Sequence, residues 1–421
     1  MDPETEDESL YPKLHPLKLF DLAKSQKRYL YTCAPMVRYS KLAFRQTVHA
    51  YGTDLCWTPM ILAKEFNRSS VARDSDLTMS TSHPQPPTIA QFGASDPAEL
   101  ARAASLVAPF VNGVDLNCGC PQSWACAGGL GAALMGRREL VRDAVVATRR
   151  RLADDGWAVS MTEGDVESPR GRSVSIKIRV HADLRRTVDF IETVLADNHG
   201  GGGGWSRNID WLTVHPRTRS TPSSTPINLE ALALLAEKFG ERVPILVSGD
   251  VFTLSGLPYT SSHLLPEPQP TFTTTTSPSS PSSAPSPTDG VDLARPKPPD
   301  KLPIPNLAGL MSARALLANP ALFAGYDACP WEAVDTFMRN VARAPLPLKL
   351  GIHHLTEMCG PGLGPEKQTR ALLTKRERVG LVECQSWIDV IDFLEGVRLG
   401  KGEGVEGWER SRSKDGVADH I

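Results

Sequence analysis

No stretch of this 421-residue chain approaches the ~18–20 consecutive apolar residues that a membrane-spanning helix requires. The first nine residues are acidic and carry no apolar segment of the kind that directs secretion. There is no charge excess either. The 46 Lys+Arg and 48 Asp+Glu leave a formal net charge of −2, which excludes a polybasic, histone-like protein but not a local basic face. Cysteine is sparse, eight in all, and without a secretory signal these are expected to stay reduced, in the cytoplasm, the nucleus or both. Cys118, Cys120 and Cys126 lack the spacing of a metal site and no second ligand pair follows, so no metal is expected. No glycine fingerprint follows the first apolar run, which removes the usual mark of a doubly wound nucleotide-binding sheet.

What is present is a core-forming composition, 41 % hydrophobic, arranged as alternating strands and helices. Strands are expected at 29–34, 54–58, 88–92, 112–117, 174–179, 209–214, 243–248 and 307–312. Several are continuous apolar runs, such as Val243 to Val247, as parallel strands buried on both faces require. Amphipathic segments separate them. Leu184, Val188, Ile191 and Leu195 form one helical stripe, Asp96-Pro97 opens a helix over 97–109, and Gly240 closes another over 227–239. Eight such alternations predict an α/β fold, a (β/α)8 TIM barrel.

Three stretches interrupt this pattern. Residues 155–173 read as a polar loop. Residues 199–204 contain five consecutive glycines, a flexible connector. Residues 266–288 hold seven Pro, six Ser and six Thr, a composition that cannot offset its ordering entropy. The domain reading is therefore a partly disordered acidic lead-in at 1–27 and a barrel over 28–326 interrupted by a disordered insertion at about 256–303. A small all-helical C-terminal domain follows at 330–397, with helices at 331–344, 346–358, 366–378 and 385–397, and a polar tail at 398–421.

Barrel enzymes carry their chemistry at the C-terminal ends of the strands. Nearly every such end here is polar or unusual: Pro35 and Met36 after the first strand, Gln91, Asn117 to Cys120, Lys177 and Arg179, His215 and Arg217, Ser248-Gly249-Asp250, and Ala313-Arg314. Singly, each has an ordinary explanation: Met36 as core filler, Ser-Gly-Asp as a turn, His215 as a satisfied histidine. Lys177 is harder to dismiss, because a lysine alternating with Ile176 and Ile178 points into the barrel or its mouth and there needs an anion or a ligand. Cys120, between Gly119 and Pro121 at a strand end, reads as a nucleophile or acid in a tight turn, or else as an inert thiol.

Together these blocks resemble the tRNA-dihydrouridine synthases, flavin enzymes that reduce uridines in tRNA. The resemblance rests on residues 33–45 (Cys-Ala-Pro-Met-Val-Arg-Tyr-Ser-Lys-Leu-Ala-Phe-Arg), Gln91 to Ala94, Asn117-Cys-Gly-Cys-Pro121 with Gly131 to Met135, Ser175 to Arg179, His215 to Thr218, Ser248 to Asp250 and Ala313 to Phe323. These follow family order over about 30–400. Residues 34–45 and 317–326 are most similar to the eukaryotic subgroup acting on D-loop positions 20a and 20b.

The resemblance implies FMN as cofactor, NADPH as reductant and tRNA as partner of a monomer. It places Pro35, Met36, Gln91, Asn117, Lys177 and His215 around the flavin ring, Ser248, Gly249, Asp250, Ala313 and Arg314 at its phosphate, and Cys120 as the catalytic acid. Asn117, Arg179 and Arg217 would face the substrate, and the helical domain would bind tRNA, with Lys367, Lys375, Arg376 and Arg378 supplying basic character. Ser248 stands where the family has Asn, and Ala313 and Ala315 where Gly is common. Reducing the uracil C5–C6 bond takes a hydride and a proton, and a thiol, ordinarily protonated at neutral pH, suits the second role. The competing readings are a small-molecule flavin oxidoreductase of the dihydroorotate or dihydropyrimidine dehydrogenase type, which leaves the C-terminal helices unexplained, and a catalytically silent RNA-binding protein, against which intact Cys120 and Lys177 argue.

Overall fold

The continuous apolar runs form eight parallel strands that close on themselves in a computed structural model describing residues 13–80, 85–196, 206–261, 301–363 and 371–401. The strands are β1 Leu30–Cys33, β2 Leu55–Trp57, β3 Thr88–Gly93, β4 Gly113–Cys118, β5 Ser173–Arg179, β6 Leu212–His215, β7 Ile245–Ser248 and β8 Leu307–Ser312. Each pairs with the next, and β8 returns to β1 through the register Leu30↔Gly309 to Cys33↔Ser312. The helices packed outside are α2 Leu42–Ala50, α3 Pro97–Val107, α4 Arg138–Asp154, α5 Leu184–Leu195, α6 Leu229–Phe239 and the short α7 Arg314–Ala318; α1 Pro16–Ser25 precedes the barrel. The (β/α)8 barrel expected from the sequence is the fold observed. The α3 and α5 helices begin where the sequence places them, with Asp96 and Asp183 accepting hydrogen bonds from the first backbone N–H groups.

Of the lead-in at 1–27 expected to be partly disordered, residues 1–12 lie outside the described residues; in the remainder α1 starts with Pro16 in its first turn while the His15 ring accepts from Leu17 N. Phe20 and Ala23 of α1 pack with Leu30, Leu55, Trp57, Ile89, Trp211, Leu246 and Met311, a cluster contributed by most of the barrel strands or the residues just before them. Phe20 and Trp57 both lie against Trp211, with ring centroids 5.5 and 6.1 Å away. The N-terminal end of the barrel is thereby sealed by an aromatic plug. A polar network reinforces it. Asp210, fully buried, pairs with the equally buried Arg149 of α4 and accepts from Val174 N at 2.6 Å, while Arg149 Nε donates to Asn208 O at 2.6 Å.

The expected polar loop at 155–173 is also structured. It buries Trp157 and Val159, contains a one-turn helix at Glu163–Glu167 capped by Thr162, and lays Arg172 over the Trp157 ring at 4.2 Å. The glycine run lies outside the described residues, as do 262–300 of the Pro/Ser/Thr-rich interruption. The flanks of that interruption are described: Tyr259–Thr260 pairs in parallel with Leu302–Pro303. No helix stands between β7 and β8 among the described residues.

Four helices follow the barrel: α8 Trp331–Arg343, α9 Leu348–Met358, α10 Lys375–Glu383 and α11 Trp387–Gly400. Of the helix expected at 366–378, residues 366–370 lie outside the described residues; residues 371–374 are not helical and the helix begins at Lys375. Thr374 and Glu377 form a reciprocal capping box that fixes the start there, a signal stronger than the charge pattern upstream. The α8 helix lies on α2, where Asn340 Nδ2 donates to Thr47 Oγ1 at 3.0 Å. His354 of α9 is buried among the rings of Tyr39, Phe44 and Phe337, and burial pushes its imidazole down to about 3. No described helix is long and apolar enough to cross a membrane.

Candidate active site

The parallel barrel delivers every strand end to one rim, and the residues singled out in the sequence gather there. After β1, Met36 sits in a turn pinned by Ser40, whose hydroxyl accepts from Met36 N at 3.0 Å and donates to Ala34 O at 2.8 Å. Pro35 precedes it, half-buried, and Arg38 occupies the left-handed region at φ 70° with its side chain exposed.

Within the barrel a chain of side chains crosses from β3 to β5. Gln91 Nε2 donates to Asp115 Oδ2 at 2.8 Å, and Asn117 Nδ2 donates to Gln91 Oε1 at 2.8 Å. Asn117 Oδ1 in turn accepts from Gly119 N at 3.0 Å and Cys120 N at 2.8 Å. Ser175 Oγ donates to Asp115 Oδ1 at 2.6 Å. Asp115 is fully buried, and burial raises its carboxyl to about 6 against the opposing pull of Ser175, Gln91 and the nearby Lys177.

Lys177 stands beside Asn117 in the β4–β5 register. Among the described residues it makes neither a hydrogen bond nor an ion pair, and burial lowers its ammonium to about 8, helped by Arg179. A half-buried lysine without a hydrogen-bond or ion-pair partner is a place prepared for a group that supplies acceptors.

His215, across β6, is pushed down to about 2 by burial and by the cations Lys177, Arg179, Arg217 and Arg314. Arg217 Nη1 lies 3.0 Å from His215 Nε2. A guanidinium can only donate, so Nε2 accepts, the ring is neutral and its proton sits on Nδ1. The ring fits because residue 249 is glycine: at φ 114°, a Cβ there would come within 3.0 Å of the imidazole and 2.9 Å of Ile227.

Two arginines expected to face substrate are engaged by the protein itself. Arg217 is 5 % exposed, ion-paired with Asp250 at 2.6 Å, and donates to Thr225 O and Ser223 O as well as to His215. Asp250 in turn accepts from Ile227 N at 2.8 Å, which holds the left-handed turn (φ 55°) at residue 250 after buried Ser248. Arg179 Nε donates to Gly119 O at 2.9 Å and Nη1 to Thr218 O at 2.7 Å. Ala313 caps α7, and Arg314, its first residue, is exposed beside the 248–250 turn, since β7 and β8 are neighbours.

Cys120 is half-buried. Its backbone is held by Asn117 below and by Ala132 N, which donates to Cys120 O at 2.9 Å. Gly131 allows this: a Cβ at that position would lie 2.6 Å from Cys120 O. The turn carrying Cys120 is thus fixed by Asn117, Arg179 and the 131–132 backbone while its side chain stays accessible. Its neighbour Cys118 differs. That thiol is fully buried, and desolvation pushes it well above its ordinary range. Asp115 and Ser175 are the residues that motif reasoning passed over. Their signal was parity, since each lies two positions from a rim residue, Asn117 or Lys177, and shares its face.

Among the described residues no cluster of three or more His, Cys, Asp or Glu could hold a metal. Comparison with known proteins agrees with the geometry. The family model for dihydrouridine synthase matches residues 32–263. A mouse protein, tRNA-dihydrouridine(20a/20b) synthase, NAD(P)+-like, is 39 % identical over 327 residues, 77 % of this chain and 78 % of its own length. The tRNA-dihydrouridine(20a/20b) synthases, NAD(P)+, of Schizosaccharomyces pombe and Saccharomyces cerevisiae are 34 % and 30 % identical, covering 90 % and 91 % of this chain and 91 % and 84 % of their own. A barrel with these strand ends, matched over more than half its length by that model and over most of it by those relatives, belongs to the dihydrouridine synthase family.

Proposed function

We propose that this chain reduces the C5–C6 bond of uridine at D-loop positions 20a and 20b of tRNA, with FMN in the barrel mouth and NADPH as reductant. The observation that carries this reading is the pairing of an accessible, backbone-clamped Cys120 with a half-buried Lys177 that makes no hydrogen bond or ion pair among the described residues, on adjoining strands of a dihydrouridine synthase barrel. The mouth suits a flavin. Among the described residues Lys177 lacks an acceptor, His215 offers an Nδ1–H, and Gly249 lets the imidazole pack against the 248–250 turn. Gln91, Asn117, Lys177 and His215 would hold the ring, with Pro35 and Met36 against it. The 248–250 turn, Ala313 and Arg314 would hold the phosphate, Arg314 by a charge-assisted bidentate contact. When bound, FMN supplies the hydride to C6.

The protein's own share is orientation and a proton. Cys120 would deliver its Sγ proton to C5 of the uracil, and Asn117 would face the base. The uridine must leave the RNA stack to reach the mouth. Arg179 and Arg217 contribute here by fixing the rim, Arg179 through Gly119 and Arg217 through Asp250. The helices α8–α11 would bind the tRNA body, with exposed Lys375 and Arg376 on α10 meeting phosphates; Lys367 lies outside the described residues. The test is mass spectrometry of unmodified tRNA after incubation with protein, FMN and NADPH. A gain of two hydrogens at 20a and 20b supports the reading. FMN bound and NADPH consumed with no gain on RNA overturns it.

A further inference from the structure

We propose that Asp115 is a positioning residue that sets the direction of the hydrogen-bond chain holding the Cys120 turn. The ionised carboxylate of Asp115 can only accept. It therefore takes Nε2 of Gln91 and forces Oε1 of the same amide toward Asn117. Asn117 must then offer Nδ2 to Gln91, which leaves Oδ1 for the backbone N–H groups of Gly119 and Cys120. Each amide could face either way on its own. One acceptor at the buried end fixes both, and the last bond of the chain is made to the catalytic turn.

The burial of Asp115 fits this role. It is fully inaccessible, it lies two residues upstream of Asn117 on the same strand face, and its second oxygen is held by Ser175 Oγ at 2.6 Å. An ionised group there is unfavourable for stability unless paired. The neighbouring charge is Lys177, and no salt bridge at contact distance joins them among the described residues. The carboxylate is retained where a neutral residue would pack at less expense, at the one position from which amide direction is dictated.

The mechanism makes an unusual demand. In Asp115→Asn the new amide can donate to Gln91 or accept from it, so the chain loses its direction. Reversal would aim Asn117 Nδ2 at the Cys120 N–H, donor against donor, and the turn would loosen. In the double variant Asp115→Asn/Gln91→Glu the only-accepting group is moved one link along. The carboxylate now at position 91 accepts from the amide now at position 115 and from Asn117. Asn117 again presents Oδ1 to Cys120, with the net charge unchanged.

The experiment measures amide hydrogen exchange at Gly119 and Cys120 and iodoacetamide alkylation of Cys120 in the purified full chain, which needs no assumption about the reaction. Asp115→Asn is expected to speed exchange at both amides about tenfold, as loss of one buried hydrogen bond implies, and to change the alkylation rate. The double variant is expected to restore both. Ser175→Ala, which removes the other partner of Asp115, serves as the control and is expected to leave exchange at Cys120 within about twofold of wild type. Unchanged exchange in Asp115→Asn, or failure of the folded double variant to restore it, overturns the proposal. A further measurement rests on the function proposed above: dihydrouridine formation by Asp115→Asn should fall in kcat with KM for tRNA unchanged. If exchange responds and that split does not appear, the reading of Cys120 is at fault and the positioning role stands.

Discussion

The two ends of the barrel solve opposite problems with similar residues. At the N-terminal end buried charge is matched: Arg149 meets Asp210 and backbone carbonyls, and α1 lays Phe20 against Trp211 beside Trp57. At the C-terminal end charge is left wanting. Among the described residues half-buried Lys177 makes no hydrogen bond or ion pair, His215 is neutral under four cations, and Cys120 is accessible on a clamped turn. One end is built to be finished without a ligand and the other is not, so stability and chemistry are separable along the barrel axis.

The largest test of that separation is Cys120→Ala. Product formation should fall by about 10²–10⁴-fold, the usual worth of a positioned acid, with FMN binding, NADPH oxidation and the melting temperature unchanged. Mass spectrometry of the tRNA and a thermal melt check this, and normal product would remove Cys120 from the acid role. Next comes Asp210→Ala, which strands a buried guanidinium and should cost about 3–5 kcal/mol in urea unfolding, while the molecules that remain folded keep their turnover. If turnover per folded molecule drops with stability, the two ends are coupled and the comparison fails.

Asp115 gives a smaller effect of definite sign. Its folded carboxyl is raised to about 6 from an unfolded value near 4, so its contribution to stability is complete below pH ~4 and is lost as pH rises through about 6. The wild type should therefore lose roughly 1–3 kcal/mol relative to Asp115→Asn between pH 4 and 7, read from denaturation midpoints at both pH values. The smallest effect is Lys177→Met. Removing a half-buried ammonium that no described residue pairs should raise the melting point of the flavin-free protein by about 1 °C, for about 1 kcal/mol gained, and weaken FMN retention. A melting point that falls would show that Lys177 is part of the fold.

Most of the barrel was legible because parallel strands buried on both faces write themselves as apolar runs, and because helix starts such as Asp96 and Asp183 carry local caps. The α1 helix was not legible. It is short and follows an acidic stretch, and its stability comes from Phe20 packing with Trp57 and Trp211, contacts between residues far apart in the chain. The expected helix ran through residues 371–374, which are not helical, although the Thr374–Glu377 pair that fixes the start of α10 was present to be read. At the rim, motif and position found the residues that point outward. They did not reveal which arginines the protein consumes: nothing in the string His215-Pro-Arg217 tells that Arg217 is buried against Asp250. Nor do they distinguish Asp115 from any other polar residue in a strand, since its importance lies in the direction of bonds made by Gln91 and Asn117.

The parallel pairing of Tyr259–Thr260 with Leu302–Pro303 turns the interrupted seventh crossover into a port. The chain leaves after residue 261 and re-enters at 301, beside Pro258, where Leu302 N donates to Pro258 O at 3.0 Å. These ends are separated by only a few residues' rise, roughly 10–15 Å. The β7 and β8 strands pair directly with one another, so closure of the barrel is set by their own register and not by the length of chain that joins residue 261 to residue 301.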